Sequence, residues 1–514
     1  MFKMNRIKLG CLAVLMAAAE CATAGGLLTN TNQNIAFLRN PARDAAIGID
    51  GVYSNPAGVV FLGEGFHLSL NLQNAHQTRT VSSICPLYLM GKNNGGQQFK
   101  TFEGKADAPI IPSLQAAYNK GRWSLQFGFA LVGGGGKCEF EYGIPTFESA
   151  IAGIAYKLQG LGTLHPALGV SGYDMNAYMQ GRQYYYGFTL GAAYKVTDQL
   201  SVYGGVRMLY GNASYQAKVS DIRVKTNGVD YDAFSDYLDK ASMAVAGGLN
   251  TVAAGIGQTE QAIAQYVAGG MTPPEALTAT LAQLRATQQT LQTTEGSINL
   301  LEPYREGVNL MCDQTAWGVA PIIGIDYKAG NLNLAAKYEF KTRMRMKNKS
   351  TVKEASLIEA VNKFRDGEKV ADDSPALLTV GAQYAICSSV RVMAGWHHYF
   401  DVDTKQYTKD MLGDSNEYLL GGEWDINKVV QVSAGGQRTK YNFKDEGMND
   451  ISFNVSSYSL GFGVGVNVTE KVKINAAYFQ TFYDDYNKGM DAYGATNSFT
   501  RTNRVIGLGV DLKL

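Results

Sequence analysis

Long apolar runs are the first thing this sequence lacks. No segment approaches the ~20 consecutive apolar residues that a bilayer-crossing helix needs, so helical insertion is excluded. Lopsided charge is absent too: 46 Lys and Arg face 45 Asp and Glu, which leaves no electrostatic footprint for nucleic acid. Proline is scarce at 12 and charged residues make up 18%, while glycine reaches 58 and tyrosine outnumbers phenylalanine 30 to 21. That balance is odd for a soluble exported enzyme and suits alternating strands rich in glycine and aromatics. Catalytic and metal signatures are missing as well. There is no nucleophile elbow and no zinc spacing, and the run Gly133–Gly136 lacks the Gly-Lys-Ser/Thr of a phosphate loop. The pair His397-His398 cannot easily chelate one ion, because successive strand residues point to opposite faces. Its simplest place is an aromatic belt beside Trp396 and Tyr399.

What is present begins with a leader. Lys3, Arg6 and Lys8 form a basic start, Leu9–Ala19 an apolar stretch too short to span, and Ala22-Thr23-Ala24 a small-x-small cleavage site. Residues 1–24 are therefore expected to be a removed signal peptide, with the mature chain starting at Gly25. Cys85, Cys138, Cys312 and Cys387 remain after cleavage, and an oxidising compartment would allow one disulfide among them, with no pairing assigned.

The strongest signal is a repeated hairpin with a short polar turn. Turns fall at Asn119-Lys120-Gly121, Thr197-Asp198, Ala329-Gly330-Asn331, near Cys387, at Asn427-Lys428 and at Thr469-Glu470. The flanks alternate apolar with polar or small residues, the period of a strand with two different faces. A first strand near Phe66–Thr80 and a last near Thr500–Leu514 bring the count to about 14. Long connections, at 81–109, 133–181, 219–314, 348–374, 401–415, 444–453 and 486–498, alternate with the short turns. This is the layout of an all-β, antiparallel transmembrane β-barrel in the outer membrane of a Gram-negative bacterium.

Parity assigns faces. In Asn331–Lys347, Leu332, Leu334, Ala336, Tyr338, Phe340, Met344 and Met346 share a face that can meet lipid. Lys337, Glu339, Lys341, Arg343, Arg345 and Lys347 share the other, which is expected to point into the lumen or beyond the membrane. Arg207, Arg391, His397 and Tyr399 are also expected inward, with the acids Asp326, Glu417, Glu423, Asp425 and Asp511. The connection 219–314 has no strand period. Its Ala-rich stretch Ala233–Ala268 and the seam Leu277, Leu281, Leu284, Leu291 predict a helical hairpin, the second helix opened by Thr272 as cap, with Pro273 and Glu275 following.

Asn-Pro-Ala occurs twice ahead of the first strand, at Asn40–Ala42 and Asn55–Ala57, the second followed by Gly58. Each is a rigid corner. The mature start GGLLTNTNQNIAFLRNPARDAAIGIDGVYSNPAG, the place of the second triplet, the segment Ser374–Asp401 and the strand count resemble the FadL-like long-chain fatty acid transporters and their relatives for aromatic hydrocarbons. The resemblance implies a barrel over 66–514 closed by an N-terminal hatch over 25–65, with Asn55, Pro56, Ala57 and Gly58 as the hatch motif. It also implies passive uptake: capture of a long-chain fatty acid or other hydrophobic molecule at extracellular loops, hatch-gated passage through the lumen, and sideways exit through a kink in the wall. The residues do not place that kink in this chain; Gly128 and Gly133–Gly136 are candidates for local irregularity only.

Lys337, Lys341, Arg343, Arg345 and Arg207 are the candidate lumenal holders of a ligand carboxylate, or else they pair with Glu339 and other lumenal acids. No catalytic residue, metal or cofactor is expected. Expected partners besides the ligand are outer-membrane lipids and the barrel-assembly machinery. The competing reading is a scaffold subunit of a secretion or assembly complex on the same barrel, docked to another outer-membrane protein.

Overall fold

The alternating runs fold as strands in the computed structural model, which describes residues 33–514 apart from 164, 228, 356–358, 407 and 452. The leader, its cleavage site and the mature start lie outside the described residues. One antiparallel sheet contains β1 (Gly65–Ile84), β2 (Phe99–Lys120), β3 (Trp123–Phe140), β4 (Val170–Lys195), β5 (Leu200–Thr226), β6 (Val308–Ala329) and β7 (Leu332–Glu339, resumed at Arg345–Ser350). It continues through β8 (Lys369–Ala371, resumed at Leu377–Ala385), β9 (Val390–Tyr399), β10 (Leu412–Asp425), β11 (Val430–Phe443), β12 (Ser457–Asn467), β13 (Val472–Tyr483) and β14 (Thr496–Lys513). Val229–Ala233 and Tyr486–Lys488 add short ribbons at the long-loop end. β14 pairs with β1 from His67–Lys513 to Ile84–Thr496, so the 14 staves close into a barrel. Closure removes the free sheet edge.

Strands run further than periodicity alone suggested. β3 reaches Phe140 and β4 starts at Val170, so the Gly133–Gly136 run lies in the wall rather than in a loop. The wall's outer face is apolar where a bilayer would sit. Along β6, Trp317, Val319, Ile323, Ile325 and Tyr327 are all exposed. From Trp317 to Tyr327, at ~3.3 Å per residue and a ~40° tilt, the band is about 25 Å tall. A surface this apolar is not that of a soluble protein.

One stave corrects the parity reading. β7 is interrupted between Glu339 and Arg345, and the interruption adds one residue to the alternation. Asn333, Ala335, Lys337 and Glu339 are buried and face inward as expected, but beyond the break Thr342, Met344, Met346 and Asn348 are the buried ones. Met344 and Met346, expected to meet lipid, are 0% exposed and pack with Tyr185, Leu209 and Leu310. Arg343 and Lys347, expected to share the face of Lys337, are exposed on the outer face. A bulge of one residue flips every later side chain.

Over the mouth, helix packing closes the long-loop end. Inside the lumen the five-residue helix α1 (Ile35–Arg39) is capped by Asn34, whose carboxamide oxygen accepts from Ala36 N at 2.8 Å. At the mouth α2 (Pro145–Gln159) buries Ile151, Ala152, Ala155 and Leu158 against a core that includes Cys85, Tyr88, Phe102 and Tyr173. The predicted hairpin is present as α3 (Phe234–Ala268) and α4 (Glu275–Asn299). Leu284 and Leu291 sit over Gly255 and Gly248 of α3, so the leucine seam faces the partner helix. The start differs from expectation: Pro274 precedes the helix with no side-chain cap, and Thr272 lies outside it. Cys85, Cys138, Cys312 and Cys387 are free, so the disulfide that the compartment would allow is not formed among them.

Candidate functional site

The hatch is fastened to the wall by side chains from many staves, each claiming one backbone or side-chain group. Asn55 donates to Asp326 Oδ2 at 2.6 Å and accepts from Gly58 N at 3.1 Å, which makes the second Asn-Pro-Ala-Gly a closed turn. Gln126 Nε2 donates to the Pro56 carbonyl at 2.7 Å, Ser201 Oγ to Ala57 O at 2.6 Å, and Asn119 Nδ2 to Val59 O at 2.8 Å. A proline suits this position because it has no N–H to leave unpaired in the lumen. The first Asn-Pro corner is also seated. Asn40 accepts from Ala42 N at 3.1 Å and presses on the wall at Gly421 and Gly435, where an added Cβ would overlap its carboxamide.

Several charges around the hatch are matched. Arg43 bonds Asp50 at 2.8 Å and Glu423 at 2.5 Å, and Arg391 bonds Asp425 at 2.8 Å. His397 lies between Asp44, at 2.9 Å, and Glu417, at 2.8 Å, while Trp396 and His398 form an outward pair. His397 is thus a hatch anchor rather than a belt residue. Sequence parity turned it inward but gave no hint of Asp44, which comes from a distant segment.

The predicted carboxylate holders do not converge. Arg207 faces inward and bonds Glu339 at 2.7 and 2.6 Å. Lys337 donates to Tyr53 O at 2.8 Å, and both cations lie over the Tyr53 ring. Lys341 reaches a loop, donating to Asp403 O at 2.6 Å, and Arg345 pairs with Asp373 at 2.6 Å. Arg343 is exposed. Two candidates therefore anchor the hatch side and three lie at or outside the long-loop rim.

The space left in the lumen is elsewhere. A cavity of about 310 Å³ lies above the hatch, with Phe37, Leu38, Phe479 and Val505 among its apolar lining. Arg79 and Arg501, directly opposite each other across β1 and β14, also line it. Arg501 donates to Asn454 Oδ1 at 2.5 Å and lies over Tyr483, and Arg79 donates to Gln77 at 3.3 Å. Among the described residues neither forms an ion pair, and Arg501 Nε is buried without a hydrogen-bond partner. Two facing guanidiniums without a carboxylate are a ready site for an anion. Sequence reasoning missed them because they lie on the first and last staves and only closure brings them together.

The cavity also meets a break in the wall. β2 and β3 pair from Gly104–Phe140 to Asp107–Lys137 and again from Leu114–Phe129 to Lys120–Trp123, with no pairing between. On β2 this stretch holds Pro109 and Pro112, which have no N–H to give. On β3 it holds Gly133–Gly136, bulged against β4 on both sides. Gly134 has φ +89°, where a Cβ would also strike Gln183 O. Gly128 is no kink; it clears Val52 of the hatch. The break lies at the upper edge of the apolar band, beside Phe129, Tyr186, Tyr210 and Trp317, which contact one another on the outer face. Gly134, Gly135 and Gly136 of the break line the cavity, as do Arg182 and Gln183 of the facing β4.

Gln33 spans the break. Its Nε2 donates to Leu131 O at 2.6 Å and its Oε1 accepts from Leu131 N at 2.8 Å, the two bonds that β2 does not make there. Its own carbonyl accepts from Gln73 Nε2 at 2.8 Å and from Ser113 Oγ at 3.1 Å. The first described residue of the hatch is therefore stitched to both lips.

A closed 14-stave barrel with a folded plug and an apolar outer belt defines the class of plugged membrane-spanning barrels. Within that class the chain has the FadL-type fold. A crystal structure of a Pseudomonas aeruginosa FadL homologue aligns over 95% of this chain and 99% of its own, with TM-score 0.56 and 11% identity. The Pseudomonas putida toluene transporter TodX aligns over 94% and 99%, with TM-score 0.50 and 14% identity. No family model matches the sequence, and no curated protein matches it.

Proposed function

We propose that this chain is an outer-membrane uptake channel for hydrophobic compounds, with the long loops extracellular and the short turns periplasmic. The observation that carries this reading is a lumenal cavity bordered by the glycines of the β2–β3 break at the top of the apolar band. A hydrophobic solute gains ~0.8 kcal/mol per buried CH₂, so a route from an apolar cavity sideways into lipid avoids re-exposing it to water. Arg79 and Arg501 favour a solute with an acid head, such as a long-chain fatty acid, over a neutral hydrocarbon. The hatch gates the route through Gln33, and the export signal at 1–24 delivers the chain.

Gly135 provides the test. It lines the cavity in the break, and a Cβ there meets nothing within 4 Å. A Gly135→Cys chain that also carries Cys138→Ser and Cys387→Ser is modified with a bulky methanethiosulfonate, and uptake of labelled fatty acid is followed in whole cells. Modification should stop uptake and dithiothreitol should restore it. Uptake untouched by a fully modified Gly135→Cys would overturn the lateral route.

A further inference from the structure

The basic column of β7 lies outside the barrel, and its surroundings say what it meets. Going up the outer face, Leu334, Tyr338 and Phe340 belong to the apolar band. Beyond the break the same face carries Arg343, Arg345, Lys347 and Lys349. Lys347 is directly opposite Lys369 of β8 on one side and Thr315 of β6 on the other; Thr315 lies two residues beyond the exposed Trp317. The cations therefore begin where the apolar belt ends.

They are also left without partners of opposite charge. Arg345 is taken by Asp373, Lys353 holds Asp366 at 2.9 Å, and Arg365 holds Glu368. Among the described residues Arg343, Lys347, Lys349 and Lys369 form no ion pair, and the one unpaired acid facing them is Asp313, opposite Lys349. Two lysines facing each other across a strand pair repel, and the carboxylate that Lys347 acts on, Asp366, is already held by Lys353, so this face carries an excess of positive charge. Lysine and arginine stems can lie along the apolar belt while their heads reach charged groups at the membrane surface.

We propose that this patch binds the phosphorylated headgroup of an outer-leaflet lipid, with Arg343, Lys347, Lys349 and Lys369 as the phosphate ligands. The inference rests on reading the barrel as an outer-membrane protein with its long loops outside. The occupant is an anionic lipid because the patch is continuous with the lipid-facing belt, at headgroup height, and carries an excess of positive charge.

Full-length protein in detergent is mixed with a bis-phosphorylated glucosamine lipid or its dephosphorylated counterpart, and retention is read by native mass spectrometry. The wild type should prefer the phosphorylated lipid by about tenfold or more. R343Q/K347Q/K349Q/K369Q should lose that preference, and the Lys→Arg triple K347R/K349R/K369R should keep it. Equal retention by wild type and the four-site variant, or displacement of the lipid by millimolar inorganic phosphate, would overturn the proposal, the latter by showing a free-anion site. Folding is checked by heat-modifiable gel mobility. If the four-site variant does not fold, K347Q/K369Q replaces it under the same criteria. A chain absent from the outer-membrane fraction overturns the barrel's placement, whereas a wild-type chain that shows no lipid preference while keeping its placement and fatty acid uptake overturns this inference alone.

Discussion

Replacing Gln33 with alanine should loosen the wall break. The substitution removes the two side-chain bonds to Leu131, at 2.6 and 2.8 Å, and leaves a buried N–H and C=O without partners. Leaving such groups unpaired costs ~1–3 kcal/mol. If the closed break loses that much relative to an opened one, where Leu131 meets water or lipid headgroups, the open population rises roughly 5- to 150-fold. Cys138 is a built-in reporter, because it lines the same cavity. Cys85 and Cys312 are buried and Cys387 is the exposed thiol, so Cys387→Ser isolates the signal. In that background Gln33→Ala should speed maleimide labelling of Cys138 by about tenfold and raise fatty acid uptake with it. Gln33→Glu should do at least as much, since it keeps the acceptor for Leu131 N but sets a carboxylate against Leu131 O. A folded Gln33→Ala barrel whose Cys138 labels at the wild-type rate would refute the idea that this side chain holds the break shut.

Other expectations follow from the same contacts. Asn55→Ala removes the bonds to Asp326 and Gly58 N and should cost ~1–3 kcal/mol of hatch stability, read as protease cleavage near residue 55 while the barrel keeps its gel mobility. Gly421→Ala pushes a methyl into Asn40 and should unseat the first corner in the same assay, with no effect on strand content by circular dichroism. Arg79→Gln with Arg501→Gln should weaken binding of a fatty acid about tenfold or more but leave a neutral aromatic hydrocarbon unchanged, measured by ligand fluorescence on purified protein. Burial, aided by nearby Asp414 and Glu417, lifts the Asp401 carboxyl in the loop after β9 from the ordinary 3.8 to about 7. The folded chain then holds a proton that the unfolded chain has lost. Stability should fall as pH rises from about 3.8 to about 7, the whole cost being present above that, and Asp401→Asn should flatten the dependence in thermal melts across this range.

Much of the wall was legible in the chain. A strand with one face in lipid and one in a packed lumen must alternate, so Leu332–Glu339, Val390–Tyr399 and the end of the last stave declared their faces. The helical hairpin was equally plain, because its leucines recur at helical spacing. Parity failed on β7 because it is a count from a fixed start, and one inserted residue between Glu339 and Arg345 resets it without changing composition. Pro109, Pro112 and Gly133–Gly136 were visible as breakers, yet nothing local says that they lie on neighbouring staves at one height.

The sequence by itself determined the number of staves, which side of most of them is apolar, and two rigid proline corners ahead of the wall, because these follow from residue order along a single strand or turn. Only the tertiary structure decided what closure brings together. Arg79 meets Arg501 because the last stave pairs with the first, and Gln33 reaches Leu131 because α1 lies against the wall. The break opens where two non-pairing stretches are set side by side. Each of these depends on strand register around a closed barrel, a quantity fixed by every pairing at once.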